Sequence, residues 1–377
     1  MLGLAWKFIR FDRAKSVGVI TAIVISIFLI GQQLSLLFFL MGLMGNLVGN
    51  APIQEDEIWV IERQTDNVNA LNVIDQRLVQ EIGSLPFIAQ AEPVVIASGQ
   101  ATFLDGKTAA VTLVGSVAPS FMMGPIESKI KEGNIEDLMQ PYAVSAEFFS
   151  AKTWSTTLSL GKAIEINGKS AQIKVITKNA QAFGASLMYT SIENARFLGN
   201  VSPTKISIVI ARVKDKDQKQ EVIQQINTLY PNLKAWDIAK LQSSTVKEIL
   251  ISSNMGMSFG TLVLFAMISG FFIIGLTLYS SALDRIKDYG TLKAIGAKKG
   301  YVNKLIIAQA FLYAIIGYVI AIFLLYGFKF GVANSGLAID ITIPFALFLL
   351  FVTLFISIGG SLFAVRKISK LEPASVF

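Results

Sequence analysis

The sequence predicts a membrane protein: four transmembrane α-helices, long stalk helices on two of them, and one extracytoplasmic domain of mixed α+β structure. Three observations predict it. Of 377 residues, 53% are hydrophobic and 16% charged, too apolar for an ordinary soluble domain. Four runs, 16–54, 249–283, 305–328 and 341–365, contain no Asp, Glu, Lys or Arg, and each exceeds the roughly 20 apolar residues that a bilayer-crossing helix needs. Between the first two runs, short β-prone stretches alternate with turn residues.

Residues 1–16 begin the chain as an amphipathic helix, with Leu2, Leu4, Trp6, Phe8 and Ile9 interleaved with Lys7, Arg10, Arg13 and Lys15. Trp and cations suit a membrane interface. Residues 17–49 form transmembrane helix 1 and its stalk. This run is too long for a signal-peptide core and no small-x-small cleavage site follows it, so it reads as an uncleaved anchor. Gln32, Gln33 and Ser35 inside it read as packing groups. Residues 254–283 form the second stalk and transmembrane helix. The 35-residue run 249–283 would extend about 52 Å as a helix, against a hydrocarbon core of about 30 Å. Gly45 and Gly49 on the first stalk, and Gly256 and Gly260 on the second, have the G-x-x-x-G spacing that lets helices approach closely.

Residues 50–253 form the extracytoplasmic domain. Glu57–Arg63 alternates like a strand, and 72–82 reads as a helix. Pro93–Ile96, Ala109–Gly115, Ile173–Thr177 and Leu233–Trp236 read as strands, and Lys205–Val213 as a strong one. Asp215–Tyr230 reads as a helix ended by Pro231. Asp105-Gly106 and Asn167-Gly168 are type I′ hairpin-turn signals. The triplets Gly106-Lys107-Thr108 and Gly168-Lys169-Ser170 resemble the end of a phosphate-binding loop, but Ala101 and Ala163 stand where that motif needs its first glycine. Both are turns with exposed lysines. Residues 284–304 form a basic loop or helix, 305–328 the third span, 329–340 a short turn, 341–365 the fourth span and 366–377 a basic tail.

Charge orients the chain. The segments 1–15, 284–304 and 366–377 sum to +9, while 55–248 sums to −2. Lys and Arg concentrate on cytoplasmic loops, so both termini and 284–304 face the cytoplasm and the large domain faces outward. The net charge of +7 is thus an orientation signal with some attraction to acidic lipid, and no nucleic-acid partner is expected. Without Cys or His, disulfides, thiol nucleophiles and His-based triads are excluded. No ionisable residue lies within a charge-free run, which argues against a proton-driven pump. No nucleotide-binding motif exists either. The economical reading is a permease subunit, not itself an enzyme, driven by a separate ATPase.

The segment that would receive the drive is the stretch 280–309 around the 284–304 loop, where Leu283, Ile286, Tyr289, Leu292 and Ile295 recur at helical spacing and Gly290, Gly296 and Gly300 punctuate. Lys287-Asp288-Tyr289-Gly290, then Leu292-Lys293-Ala294-Ile295-Gly296-Ala297, then Val302–Gly317, resemble the signature of FtsX-like permeases of MacB-type (type VII) ABC transporters. The tail, Arg366-Lys367-Ile368 to Glu372-Pro373-Ala374, resembles that family's ending. Ala182-Phe183-Gly184-Ala185 and Ala374-Ser375-Val376-Phe377 place the chain nearest DevC-like permeases. Asp288 stands where Glu is more usual, and Gln309 where an acid is frequent.

The resemblance implies mechanotransmission. Two permease copies each dock a cytoplasmic ABC ATPase, which holds the ATP and magnesium. The stroke reshapes the outer domains, exporting an amphiphilic or lipid-like substrate, with a periplasmic adaptor and a TolC-like outer-membrane channel as further partners. Residues Lys287 to Lys298 are the expected docking segment. Tyr289, Leu292 and Ile295 would supply apolar contact, Lys293 and Lys298 charge, and Gly290 and Gly296 the bend, with Asp288, Ala294 and Ala297 between them. Alternatives from other classes are a signalling subunit that regulates a periplasmic enzyme or senses antimicrobials, and a lipoprotein-release permease.

Overall fold

The computed structural model describes residues 2–11, 13–294 and 300–369. Helix α1 spans Leu2–Phe11 and α2 spans Arg13–Gly49. The α2 run is rich in Leu, Ile and Phe and holds no proline, so nothing interrupts its 37 residues. It stops at Gly49-Asn50.

The next elements are β1 (Glu57–Glu62), β2 (Ile74–Asp75), α3 (Leu78–Gly83), β3 (Ile88–Thr102), β4 (Thr108–Ser116), β5 (Ile130–Glu132), β6 (Ala143–Glu147), α4 (Ser150–Thr153), β7 (Ala163–Ile166), β8 (Lys169–Thr177) and β9 (Ser186–Ser191). They continue as α5 (Ile192–Gly199), β10 (Lys205–Ile206), β11 (Ile208–Val213), α6 (Lys219–Leu229), β12 (Leu233–Asp237) and α7 (Ile238–Ser252). The chain ends in α8 (Met255–Asp284), α9 (Ile286–Ala294), α10 (Tyr301–Val332) and α11 (Ile343–Ser369).

Two compact units result. One comprises 1–39 and 256–377, and the other is Leu40–Met255. The first holds helices long and apolar enough to cross a membrane, within Arg13–Gly49, Met255–Asp284, Tyr301–Ser335 and Ile343–Leu362. Their large exposed side chains, such as Phe265, Phe272, Phe323, Phe351 and Phe355, are those expected of a lipid-facing surface. Between the helices, Ile23, Ile27, Ile274, Ala310, Leu325, Leu349 and Ile356 form an apolar core. Gly360 brings α11 close to α8: a Cβ there would lie 3.0 Å from the Phe271 carbonyl oxygen.

In the second unit, strands run in the order β12-β1-β11-β3-β7-β8-β5, with β4 joining β3 to β9, and β6 beside β8. The long β3 is shared by two parts of the sheet. Its first half pairs with β11 from Ile88↔Val213 to Val94↔Ile208, and its second half pairs with β4 from Val95↔Gly115 to Thr102↔Thr108. β1 is buried on both faces. Ile58 and Val60 enter one core, Trp59 and Ile61 the other, as the two-residue alternation of a strand requires.

Asn167 and Gly168 have φ +52° and +76°, the left-handed pair that the type I′ turn expected there requires. Asp105-Gly106 also lies between two paired strands, but of that dipeptide Gly106 alone takes a positive φ, +79°, so the type I′ turn expected there does not form. Three other expectations change. The 72–82 segment is not one helix: Ile74–Asp75 pairs with Lys205–Ile206, and the helix is only Leu78–Gly83. The 205–213 strand is broken at Ser207, whose N–H donates to the Val94 carbonyl and whose Oγ accepts from the Ile96 N–H. The charge-free run 249–283 is not a continuous helix. It breaks at Asn254, with φ +55°, a left-handed conformation that Asn tolerates better than most residues.

Candidate functional site

The segment singled out in the sequence is built in the first unit. Helix α8 ends at Asp284, Arg285 is the one non-helical residue, and α9 restarts at Ile286. Gly290 lies inside α9, so the turn it was expected to make falls instead at Arg285. Gly300 has φ +87° and opens α10, which is the bend a glycine permits. Leu292, Lys293 and Ala294 belong to the last turn of α9. Ile295, Gly296, Ala297 and Lys298 lie outside the described residues.

Tyr289 is 4% exposed. It enters a cluster with Ala5, Ala282, Val302, Leu305, Ile306 and Val365, and its ring stacks on Phe8 at 6.3 Å with the planes 10° apart. Burial pushes its phenol up to about 12, with Arg285 pulling the other way, so it is a neutral packing group at physiological pH. Its apolar surface is covered within its own chain. Among the described side chains of α9, Lys287, Asp288 and Thr291 are exposed.

The N-terminal helix is clamped to this corner. Arg285 donates from Nη2 to the Phe8 carbonyl at 3.2 Å, and its guanidinium lies 4.7 Å from the Phe8 ring and 5.5 Å from the Phe11 ring. Lys15 pairs with Asp284. Ser16 Oγ donates to the Ile9 carbonyl at 2.8 Å and lies 2.8 Å from the Tyr313 hydroxyl. Arg285, Ser16 and Tyr313 were not singled out in the sequence, and Phe8 only as one apolar residue of the amphipathic start. Ala5 and Ile9, four residues apart and both buried, mark the packed face of α1. The partner helix α10 carries no comparable pattern, because it is apolar all round.

The second polar assembly sits where the last turns of α2 enter the α+β unit. Asn46 and Asn50 both donate to the Gln181 carbonyl, at 2.9 and 3.3 Å. Phe183 N–H donates to the Leu43 carbonyl at 3.0 Å, and Asn69 Nδ2 to the Met44 carbonyl at 2.8 Å. Lys129 Nζ donates to Asn50 Oδ1 at 2.5 Å. Leu47, Val48 and Ala51 join the core of the unit.

The structure places Gly45 and Gly49 against Gln242 of α7. A Cβ on Gly45 would lie 2.7 Å from Gln242 Cγ, and one on Gly49 3.1 Å from Nε2. Gly256 lies in the first turn of α8, and a Cβ on Gly260 would meet nothing within 4 Å. The first pair thus receives an amide side chain, and the second glycine of the α8 pair is open.

Nearby, Glu147 is fully buried. It accepts from Thr177 Oγ1 at 2.7 Å, Asn179 N–H at 3.0 Å and Ala180 N–H at 3.1 Å. Burial raises its carboxyl above the usual range against those hydrogen bonds. Burial lowers the Lys129 ammonium, with Glu147 opposing, and raises the enclosed Tyr189 phenol. Among the described residues, no group of three or more His, Cys, Asp or Glu could hold a metal ion.

Four span-capable helices, with an α+β unit inserted after the first, define the class: a multi-pass membrane protein with one large domain between spans one and two. The particular kind follows from the sequence of the later helices. Residues 260–373 match the family described as FtsX-like permease C-terminal. The likeness to FtsX-like permeases thus lies in α8 to α11 and the segment that links them. Comparison with curated proteins returns no match. Among solved structures, the periplasmic region of MacB from Actinobacillus actinomycetemcomitans is similar at 12% identity and a TM-score of 0.38, over 50% of this chain and 92% of that one. The extracellular domain of the noncanonic ABC-type transporter YknZ from Gram-positive bacteria is similar at 13% identity and a TM-score of 0.35, over 48% of this chain and 100% of that one.

Proposed function

We propose that this chain transmits the stroke of a separate cytoplasmic ATPase to its α+β unit on the outer side of the membrane, and so drives export of an amphiphilic or lipid-like substrate. The observation that carries the reading is α2. It is one unbroken helix of 37 residues, about 55 Å long, against a hydrocarbon core of about 30 Å. Its first turns lie in the corner built around Arg285, and its last ten residues belong to the α+β unit. A displacement at α9 therefore has a continuous covalent and hydrogen-bonded route to the outer domain. The basic segments 1–15, 284–304 and 366–377 face the cytoplasm in this reading. The ATPase contacts Lys287, Asp288 and the 292–298 segment. A second permease copy completes the assembly. The DevC-like resemblance adds a periplasmic adaptor and a TolC-like channel to the partners.

The test is co-expression with candidate ATPase subunits, followed by copurification and ATP hydrolysis in nanodiscs. Two variants, Leu292→Asp and the exposed charge swap Lys287→Glu with Asp288→Lys, are expected to release the ATPase while the chain's own melting is unchanged. ATPase retained at full stoichiometry by both variants would remove α9 from the docking surface.

A further inference from the structure

The α+β unit holds a groove to which the proposed function assigns no ligand. The groove holds about 380 Å³ and is lined by Thr108–Ala110 of β4, by Ser150 and Trp154 at α4, and by Gln181, Ala182 and 184–186. The β4 wall is a sheet edge. β9 begins at Ser186, opposite Val111, so Thr108, Ala109 and Ala110 run three residues past its end.

Their other side is occupied, paired as Thr102↔Thr108, Ala101↔Ala109 and Gln100↔Ala110. The Phe103 N–H donates to the Lys107 carbonyl, which fixes the alternation of the antiparallel ladder. Residues 107 and 109 turn their peptide groups toward β3, while 108 and 110 turn theirs away; the parallel Val111↔Ser186 pairing takes the Ala110 carbonyl, so the Thr108 N–H and carbonyl and the Ala110 N–H are the groups left on the side where β9 has not yet begun. Gln100 agrees: its carbonyl accepts from Asn167 N–H, on the face away from β4. Thr108 and Ala110 are exposed.

Trp154, 5.0 Å from the Phe103 ring, forms an aromatic wall, and Ser150 and Ser186 bring their hydroxyls within 2.7 Å of each other beside it. Among the described residues, none lining the groove is charged. A charged ligand would lose its hydration there without gaining a counter-ion.

We propose that this groove binds a short, uncharged peptide in extended form, added as a strand beside Thr108–Ala110. Strand addition takes its affinity from main-chain hydrogen bonds and its specificity from the flanking pockets. Three residues of edge match about 10 Å of extended peptide. The small side chains of Ala109, Ala110, Ala182 and Ala185 leave room for alternate ligand side chains, and the indole and hydroxyls receive them. The far wall has a second attachment. Gln181 and Phe183 are bonded to Asn46, Asn50 and Leu43 at the end of α2, so an occupant presses on the segment that holds that helix. This last clause rests on the permease reading, whereas binding itself does not.

The full chain in nanodiscs, without ATPase, is titrated with acetyl-Val-Thr-Val-amide while tryptophan fluorescence is followed, and Trp154→Phe assigns the response. Saturable binding is expected. Methylating the peptide's backbone nitrogens should weaken it roughly tenfold or more, the loss expected when a buried main-chain hydrogen bond is left unmade. Ala185→Trp, which fills the groove, should abolish binding with an unchanged melting temperature. Equal binding of the N-methylated peptide would overturn strand addition. No saturable binding to the folded chain, or a Trp154 response to methyl glucoside but not to the peptide, would overturn the peptide assignment. In the assembled complex the peptide should alter ATP hydrolysis, and Ala185→Trp should remove the effect. Binding without that effect would sever the groove from α2 and leave the site standing.

Discussion

Tyr289→Ala separates an internal clamp from a docking contact. Tyr289 is 4% exposed and packs on Phe8, Val302, Leu305 and Ile306. An aromatic side chain of this kind buries about 150–250 Å², and at about 25 cal/mol per Å² that is about 4–6 kcal/mol, an upper estimate since the unfolded chain already buries part of it. Measured aromatic-to-alanine truncations in cores cost about 3–5 kcal/mol, so about 4 kcal/mol is the expected loss. Tyr289→Phe removes only a hydroxyl and should cost under about 1 kcal/mol. The assay is unfolding of the chain in SDS–dodecyl maltoside mixed micelles, with no ATPase present. Tyr289→Ala should unfold at distinctly lower SDS fraction, Tyr289→Phe near the wild type. The surface substitution Lys287→Glu should move stability by no more than about 0.5 kcal/mol. A Tyr289→Ala chain of wild-type stability that fails to bind its ATPase would refute the internal role and return this residue to the interface.

Two further outcomes follow from named groups. Glu147 is raised by burial, so the folded chain holds its proton more tightly than the unfolded one. The stability it contributes is complete below the ordinary carboxylate range and is lost as pH rises through the raised value. Glu57 is raised as well, so the observable is a difference: melting temperature against pH should fall less steeply in Glu147→Gln than in the wild type, and parallel profiles would dismiss the assignment. Gly317→Ala would place a Cβ 2.5 Å from Ile23 Cγ2 and 2.8 Å from its Cβ, where a β-branched neighbour cannot swing aside. Overpacking should cost about 1–3 kcal/mol, whereas Gly260→Ala, with open space at its Cβ, should melt like the wild type.

The legible parts of the fold were those with a local cause. Charge-free length exposed the four spans, because no soluble core needs so many such runs. Asn167-Gly168 exposed a hairpin, because both residues accept positive φ. The failures lie where a distant element decided. The 72–82 segment has helical spacing, but Ile74–Asp75 is drawn into a ladder with Lys205–Ile206, some 130 residues on by the register. Tyr289 shows the limit at the candidate site. Its spacing correctly marks an apolar face, but periodicity does not say whether that face is covered by another protein or by Phe8 of the same chain. Arg285 was counted only as a charge, and its role depends on the rings of Phe8 and Phe11.

The two ends of α2 are held differently from its middle, and that difference bears on what the helix can transmit. The middle packs through apolar side chains such as Ile23, Ile27 and Ile30, contacts that tolerate small slides because dispersion is not directional. The ends are held by hydrogen bonds, which weaken steeply with angle. At one end these are Ser16 with Ile9 and Tyr313. At the other, Asn46 and Asn50, one turn apart on the same face, share the single Gln181 carbonyl. Rotation about the helix axis would carry both amides off that oxygen, whereas a tilt or axial shift can move Gln181 with them. The attachment thus favours a push or tilt over a twist. Replacing both amides, as Asn46→Leu with Asn50→Leu, leaves α2 helical and Leu47, Val48 and Ala51 in the core. It removes the key and strands the Gln181 carbonyl and the Lys129 ammonium, at a cost of about 2–4 kcal/mol. The expected result is a folded chain that still binds ATPase and hydrolyses ATP but no longer changes hydrolysis when the α+β unit is cross-linked. The natural absence of cysteine allows that cross-link to be introduced without background. If hydrolysis responds to the cross-link as in the wild type, the amides are ordinary packing and the stroke travels by another helix.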